Sequence, residues 1–215
     1  MVREHPLASL QILVPVVPSK VIAVGLNYAD HAKETGKPIP EEPLIWIKAN
    51  SSLLPHESVI QIAYPEHRTD FEAELCIVMG RHTKGVNENG AVASIFGYTC
   101  SQDITDRTIQ ARESQWTRSK SFDTYTPIGP FIRTDLDPSN LRIQQFQNGM
   151  VRQDSRTTQC IFKPAQLVSF ISQHITLLPG DVILTGTPPG IHPIQKGDQL
   201  EVRIEGLASL QNSVA

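Results

Sequence analysis

The chain has 215 residues and a formal net charge of −3, from 19 Lys and Arg against 22 Asp and Glu. No basic run occurs, so the electrostatic footprint expected of a nucleic-acid-binding protein is absent. Hydrophobic residues make up 40% and charged residues 19%, which is typical of a globular protein, while 16 Pro and 13 Gly exclude a bundle of long helices.

Residues 1–20 contain three prolines around short apolar runs, which is typical of a lead-in or an edge strand that docks onto a larger domain. The apolar run 12–17 is short and contains a proline, so no membrane span is predicted. No repeat or change in composition follows, and residues 21–215 are predicted to form one domain. Three widely spaced cysteines in apolar settings indicate buried thiols and a cytoplasmic location, where thiols stay reduced.

Hydrophobic patterning predicts a strand-rich chain with few helices. The predicted strands are 20–26, 44–48, 58–62, 71–79, 97–102, 128–133, 141–146, 182–184 and 200–204. The predicted helices are 28–35, which ends at Gly36, and 87–96, 106–116 and 166–174. The stretch 36–43 is rich in Pro, Glu and Lys and is predicted to be a mobile loop.

The first predicted helix carries a candidate acid–base pair. His31 and Glu34 are three residues apart, so a helix places both on one face. A carboxylate next to an imidazole orients the ring and raises its basicity, as a general base acting on water requires. A surface His–Glu pair without a function is the common alternative for this spacing.

The acidic strand that begins at Asp70 is the most informative segment. A period of two places Asp70, Glu72 and Glu74 on one face and apolar residues on the other. Carboxylates roughly 7 Å apart on a partly buried strand face raise each other's pKa, so a compensating charge is expected. Two or three carboxylates with open water positions suit Mg²⁺ or Mn²⁺, with Ca²⁺ as a third candidate. An edge strand with a solvated acidic face is the alternative.

Three later segments carry weaker signals. Asp103 ends a strand just before a predicted helix whose N-cap is Thr105 or Asp106, and by itself it is typical of a turn. Lys120 lies in a predicted polar loop flanked by aromatic residues, where its ammonium group either faces a bound carboxylate or enolate or contacts solvent. The Pro/Gly turn 185–190 offers hydroxyls and backbone N–H groups to an anion.

Taken in order, these segments resemble the fumarylacetoacetate hydrolase family, in particular its short members that act on acylpyruvates and related 2-oxo acids. The resemblance covers the chain from about residue 21 onward. The blocks that carry it are 25–31, 70–75, 103–107 with Gln110, 116–130 and 178–190. Five blocks in this order are specific, whereas any one of them alone is not.

The resemblance implies a β-rich α+β fold, a β-roll around a mixed sheet with a few short helices, in a homodimer. It implies a lid that carries His31 and Glu34 and orders over the substrate, and a Lys120 that faces the developing negative charge. The metal ligands that it implies are Glu72, Glu74 and Asp103. The residues that it implies help to hold the substrate or the site are Arg107, Gln110 and Thr187.

The leading hypothesis is a metal-dependent enzyme that hydrolyses a C–C bond in an acylpyruvate or related β-diketo acid through an enolate. His31, oriented by Glu34, then activates water, while the metal and Lys120 stabilise the enolate. Decarboxylation or tautomerisation of oxaloacetate and isomerisation of 2-hydroxyhepta-2,4-diene-1,7-dioate are the enzymatic alternatives on the same scaffold. A dicarboxylate-binding protein without turnover and a purely structural ion are the non-enzymatic ones.

Overall fold

The computed structural model describes residue 6 and residues 9–36 and 38–215. The strands are β1 (Val21–Gly25), β2 (Leu44–Lys48), β3 (Leu53–Leu54), β4 (Val59–Ile60), β5 (Thr69–Phe71), β6 (Ala73–Met79), β7 (Ile95–Gln102), β8 (Thr105–Asp106), β9 (Thr126–Arg133), β10 (Arg142–Gln147), β11 (Met150–Arg156), β12 (Val182–Leu184), β13 (His192–Pro193), β14 (Gln199–Ile204) and β15 (Leu210–Val214). The α-helices are α1 (Ala29–Thr35), α2 (Glu88–Ser94), α3 (Arg107–Arg112), α4 (Thr117–Lys120) and α5 (Pro164–His174). None of these helices combines the length and the apolar character needed to cross a membrane.

The strands form a seven-stranded sheet in the order β2-β1-β12-β6-β7-β9-β3, a five-stranded sheet in the order β11-β10-β14-β15-β4, and a three-stranded sheet in the order β13-β5-β8. In the largest sheet β1 pairs with β12 in parallel, whereas β12, β6 and β7 pair antiparallel. The predicted α+β class, rich in strands and built around a curled mixed sheet, is therefore confirmed.

Strand β6 lies at the centre of this arrangement and is buried on both faces. Leu75 and Ile77 join the larger hydrophobic core, together with Leu167 of α5. Cys76 and Val78 point the other way, into a second core. A strand covered on both faces reads as a nearly continuous apolar run, as β6 does beyond its acidic start. The solvated edge strand considered for this segment is therefore excluded.

The predicted strand 71–79 is wrong at one position, because the backbone is interrupted at Glu72. Strand β5 ends at Phe71 and pairs with β8 and β13, whereas β6 begins at Ala73 and pairs with β7 and β12. Glu72 thus lies where two sheets meet, and its carbonyl accepts a hydrogen bond from the N–H of Asp103 at 2.9 Å. The two acidic segments of the sequence are joined at the backbone level.

The segment predicted as one helix over 106–116 and a loop around Lys120 contains two short helices instead. Asp106 caps α3 by accepting a hydrogen bond from the N–H of Ile109 at 2.8 Å, which confirms one of the two predicted caps. The chain then turns inward through α4, and Lys120 is buried. A buried lysine is stable only when its ammonium group finds acceptors, and these come from distant segments that local patterning does not reveal.

The other predicted elements lie within a few residues of the observed ones, and Gly36 ends α1 in the left-handed conformation at φ 65° as expected. Strands β3, β8, β11, β13 and β15 were not predicted; β11 and β15 are mostly polar and carry no strand periodicity that stands out. No strand occurs over 9–20, so the edge-strand interpretation is wrong there, and residues 1–5, 7 and 8 lie outside the described residues. Residues 38–43 form neither helix nor strand, Lys37 lies outside the described residues, and the mobility of this loop stays a prediction.

The lead-in is held instead by a buried carboxylate. Asp181 accepts hydrogen bonds from the backbone N–H and hydroxyl of Ser19 at 2.9 and 2.7 Å and from the N–H of Leu178 at 2.7 Å, and it pairs with the ammonium group of Lys20. Burial alone would raise the pKa of Asp181, but Lys20 and Ser19 outweigh it and lower the pKa below its usual value. Because the folded-state pKa is lowered, this carboxylate stabilises the fold above about pH 4 and stops doing so as the pH falls further.

Replacing Asp181 with Asn should therefore lower the free energy of unfolding at pH 7 by about 1–3 kcal/mol, since a charged acceptor of several hydrogen bonds is lost. The loss should shrink below about pH 4, where the wild-type carboxylate becomes protonated. Urea unfolding at several pH values measures both effects. Asp154→Asn is the matched control, because Asp154 pairs with Arg142 at the surface and such pairs contribute about 0–1 kcal/mol. A pH-independent loss for Asp181→Asn would contradict the argument.

Candidate active site

Three carboxylates converge where β5, β6 and β7 meet. Glu72 occupies the junction between β5 and β6, Glu74 lies on β6 opposite Ser101 of β7, and Asp103 follows the end of β7. One oxygen from each carboxylate lies within 4.8 Å of the others, and all three side chains are buried. Two oxygens on opposite sides of one Mg²⁺, Mn²⁺ or Ca²⁺ ion are about 4–5 Å apart, so this spacing suits a single hard cation.

Two buried lysines and one partly buried arginine neutralise part of this cluster. The ammonium group of Lys120 donates to Glu72 at 2.9 Å, to Asp103 at 2.7 Å and to the hydroxyl of Thr105 at 2.7 Å. Lys48 pairs with the other oxygen of Asp103. Arg107 donates to the second oxygen of Glu72 at 2.6 Å.

These contacts shift the pKa values of the two glutamates in opposite directions. Burial alone would raise the pKa of Glu72, but the charges of Lys120 and Arg107 outweigh it and lower the pKa to about 2. Burial, together with the charges of Asp103 and Glu72, raises the pKa of Glu74 well above its usual value. Glu72 is therefore a stable anion, whereas Glu74 is a carboxylate whose charge is opposed by its neighbours.

Glu74 provides the test of whether a divalent ion fits this site. One of its oxygens accepts a hydrogen bond from the N–H of Gly186 at 2.6 Å, and within the described part of the chain no salt bridge reaches either oxygen. A buried carboxylate without a cationic partner is costly unless a charge is supplied from outside the protein. The three carboxylates together therefore lack one cationic partner, the one for Glu74. A hard divalent cation fits this donor set, because such ions prefer carboxylate oxygens.

A cavity of about 430 Å³ opens onto the cluster, within the usual range for small-molecule sites. His31 lines this cavity, and its Nδ1 contacts Glu34 Oε2 at 3.0 Å. Because a carboxylate only accepts, Nδ1 carries the proton and Nε2 is left as the basic nitrogen. Glu34 Oε1 also accepts a hydrogen bond from the N–H of Gly190 at 3.2 Å, which ties α1 to the 185–190 turn. The structure thus brings His31 of the acid–base pair to the same cavity as Glu72 and Glu74 of the acidic cluster; the lid motion stays a prediction.

The three residues predicted to hold the substrate or the site also line the cavity, but the protein already uses their polar groups. Arg107 donates to Asp70, Glu72 and Gln110, so all three of its guanidinium nitrogens are engaged. The hydroxyl of Thr187 donates to the carbonyl of Ala73 at 2.9 Å and accepts from Gln153 at 2.9 Å. Their contribution to substrate binding stays a prediction, and the contacts favour a role in holding the site.

Sequence reasoning missed several residues of this site. Lys48 ends a strand of apolar character, and only the acceptors Asp103 and Tyr125, far along the chain, explain its complete burial. Burial lowers the pKa of Lys48 despite its pairing with Asp103. Trp46 and Trp116 form a cavity wall, with ring centroids 5.2 Å apart in an edge-to-face arrangement. In the sequence, the position of Lys48 at the end of the predicted strand 44–48 was the one indication that this lysine could be buried.

Comparison with known proteins adds independent findings. A family model described as fumarylacetoacetate (FAA) hydrolase C-terminal matches residues 20–215. An uncharacterised protein of Archaeoglobus fulgidus is 48% identical over 98% of this chain and 84% of its own length. The mitochondrial oxaloacetate tautomerase FAHD2A of Bos taurus is 39% identical over 97% of this chain and 71% of its own length.

Solved structures agree in fold. The 5-carboxymethyl-2-hydroxymuconate delta-isomerase of Mycobacterium smegmatis has a TM-score of 0.93 and 44% identity, covering 100% of this chain and 86% of that one. The 2-hydroxyhepta-2,4-diene-1,7-dioate isomerase of Mycobacterium marinum has a TM-score of 0.92 and 41% identity, covering 99% of this chain and 81% of that one.

The backbone that positions Glu74 can be tested at Gly186. This residue has φ 92°, and a Cβ there would lie 2.8 Å from the Cβ of the buried Asn27. Gly197 has φ 94° with nothing within 4 Å, so it is a matched control. Gly197→Ala should cost roughly 1 kcal/mol from φ alone, and Gly186→Ala about 1–3 kcal/mol more from the clash. Urea unfolding of both variants measures the difference, and equal losses would refute the tight contact.

Proposed function

Since the chain belongs to the fumarylacetoacetate hydrolase family, we propose that it is a divalent-metal-dependent enzyme that interconverts keto and enol forms of a 2-oxo acid, by tautomerisation or isomerisation. The observation that carries this proposal is that His31, which is hydrogen-bonded to Glu34, lines the same cavity as Glu72 and Glu74 of the carboxylate cluster. The relatives named as a tautomerase and as isomerases support it.

We propose that Glu72, Glu74 and Asp103 hold Mg²⁺ or Mn²⁺, with Ca²⁺ as a third candidate. Such an ion, when bound, supplies Lewis-acid polarisation of a 2-oxo acid carbonyl. The protein's own part is to hold the three ligands close together and to offset the charge of two of them with cations. Lys120 and Arg107 do so for Glu72, and Lys48 and Lys120 do so for Asp103.

The proton is handled by His31 in this mechanism. Nε2 takes a proton from the carbon next to the carbonyl, the electron pair moves to the carbonyl oxygen, and the imidazolium returns a proton to that oxygen to complete the enol. Glu34 stabilises the imidazolium through Nδ1 and holds the ring in place. Lys120 remains protonated, because the charges of Asp103 and Glu72 outweigh burial and raise its pKa. Because Lys120 lines the cavity, its positive charge can stabilise a developing enolate there.

Hydrolysis of a C–C bond in an acylpyruvate is the second candidate. It uses the same enolate as leaving group but requires an attacking water next to His31. The side chain of Glu34 is 45% exposed, so water reaches the His31–Glu34 pair, and this observation favours the hydrolytic route. A binding protein without turnover has no use for an imidazole oriented in this way.

Further expectations complete the proposal. We propose one catalytic domain over 21–215, a homodimer, a small 2-oxo acid as the substrate, and neither nucleic acid nor membrane as a partner. The family resemblance supports the dimer. We also propose a cytoplasmic location; Cys76, Cys100 and Cys160 support it, since all three are buried free thiols.

Metal binding should be visible in stability as well as in activity. Saturating Mg²⁺ or Mn²⁺ should raise the Tm, because a ligand of the folded state alone stabilises it. In Glu74→Gln the metal affinity, measured by calorimetry, should fall by roughly 10-fold or more, while the metal-free Tm is kept or raised because a repelled charge has been removed. Glu88→Gln, at an exposed position on α2, is the control. A Tm unaffected by either ion would remove the metal from the proposal.

Activity can be read directly by NMR. In D₂O with Mg²⁺ or Mn²⁺, exchange of the protons next to the carbonyl of oxaloacetate, without cleavage, is the expected result; two acids from an acylpyruvate would favour hydrolysis. His31→Ala should slow turnover by about 10²–10⁴-fold with unchanged metal affinity. His82→Ala, at an exposed position outside the cavity, is the control. If oxaloacetate shows no proton exchange and the acylpyruvate is not cleaved, the proposal that the protein is an enzyme fails.

A further inference from the structure

The rim of the cavity carries an arginine, Arg68, whose guanidinium group forms hydrogen bonds to the protein along only one of its edges. Arg68 lines the cavity, and its side chain is 56% exposed. Its Nε and Nη2 donate to the two oxygens of Asp70 at 2.8 and 3.0 Å. Its Nη1 has no hydrogen-bond partner among residues 9–36 and 38–215. Arg107 differs, because all its nitrogens are taken up by neighbouring side chains.

Arg68 is held in place more firmly than its exposure suggests. Asp70 is completely buried and is shared between Arg68 and Arg107. The carbonyl of Arg68 accepts a hydrogen bond from the N–H of Arg107 at 2.8 Å, and the next residue begins β5. A guanidinium fixed by a bidentate contact on one edge presents its other edge at little further cost in entropy.

The contacts also place Arg68 relative to the metal-ligand cluster. Arg107 bridges Glu72 and Asp70, and Asp70 in turn holds Arg68, so one chain of contacts runs from the cluster to the rim. Asp70 lies on β5, and Glu72 follows directly after the last residue of that strand. The cavity therefore has the carboxylate cluster in its interior and the guanidinium group of Arg68 at its rim.

Charge along the cavity gives the chemistry of a suitable ligand. Its lining carries Asp70, Glu72 and Glu74 against Arg68, Arg107 and Lys120, three charges of each sign. Of the three cations, Lys120 and Arg107 donate to carboxylates of the cluster. Arg68 alone presents an unpaired donor edge outward, and such an edge matches a carboxylate.

We propose that Arg68 binds the second carboxylate of the substrate and thereby selects 2-oxo dicarboxylates over 2-oxo monocarboxylates. This inference rests on the proposed function, since the first carboxylate is taken to bind at the cluster. It names a specificity residue and narrows the substrate class, and it leaves the choice between tautomerisation and hydrolysis untouched.

The two tryptophans of the chain provide the readout. Trp46 and Trp116 both line the cavity, and the sequence has 2 tryptophans in total, so intrinsic fluorescence reports on this cavity. Binding of 2-oxoglutarate and of 2-oxohexanoate is titrated in the presence of Mg²⁺, with calorimetry in parallel. The two acids have similar length and differ in the second carboxylate.

In the wild type 2-oxoglutarate should bind about 10-fold or more tightly than 2-oxohexanoate, because a charge-assisted contact is made by only one of them. Arg68→Gln should bring the two Kd values to within about 3-fold, and Arg68→Lys should keep part of the preference. Arg112→Gln removes the same charge from an exposed position at the end of α3, outside the cavity, and should keep the full preference. Circular dichroism confirms that each variant is folded.

Two results would overturn the assignment of Arg68. One is an undiminished preference for the dicarboxylate in Arg68→Gln. The other is an equal loss in Arg68→Gln and Arg112→Gln, which would indicate the general field of the protein and no direct contact. If the folded wild type binds neither acid by fluorescence or calorimetry, the proposed 2-oxo acid function fails as well, and this result is distinct from the first two.

Discussion

The neutralisation of buried carboxylates is the constraint on which the rest of this structure depends. Asp70, Glu72, Glu74 and Asp103 all lie in the interior at the meeting of two sheets. An unpaired charge in such a place would cost more than most single interactions in a protein can return. Segments far apart in the sequence are therefore drawn together by the cations they carry: β2 through Lys48, α3 through Arg107 and α4 through Lys120.

This constraint separates two kinds of residue in the site. Lys48 and Arg107 direct their donors to protein acceptors, which makes them part of the scaffold that holds the carboxylates. Within the part of the chain that the structure describes, Glu74 has no cationic partner, and His31 Nε2 and Arg68 Nη1 have no hydrogen-bond partner. Direct hydrogen bonds to a ligand are expected from the second kind, because a group already satisfied within the protein gains little from a ligand. Lys120, whose donors are all engaged, acts through its charge instead.

Local sequence patterning could predict the parts of this fold that local physics controls. The period of two in β6, the cap at Gly36 and the pairing of His31 with Glu34 follow from spacing alone, and the structure has all three. Local patterning could not reveal the interruption at Glu72, because a strand that leaves one sheet for another keeps its alternation.

The sequence did not predict the burial of Lys48 and Lys120, because their acceptors lie far along the chain. Lys48 and Asp103 are 55 residues apart, and neither residue alone indicates the pair. A lysine in a polar, aromatic-flanked segment is typically solvated, yet Lys120 is buried because three acceptors surround it. The family resemblance implied that Lys120 faces a developing negative charge, but it did not indicate that the side chain is buried. The polar strands β11 and β15 were missed because their pairing depends on neighbouring strands and little on their own apolar content.

The division between core and rim also explains why membership in the family leaves the reaction open. The carboxylate cluster belongs to the sheets, and every reaction proposed for this site would depend on the same charge balance. The acid–base pair lies on α1, which is joined to the rest by side-chain contacts such as Glu34 with Gly190 and Asp30 with Ser155. Changes in α1 or at the rim can therefore alter proton transfer, water access and substrate length while the buried charges stay in place. Enzymes with different reaction names on one scaffold are the expected result of such a construction.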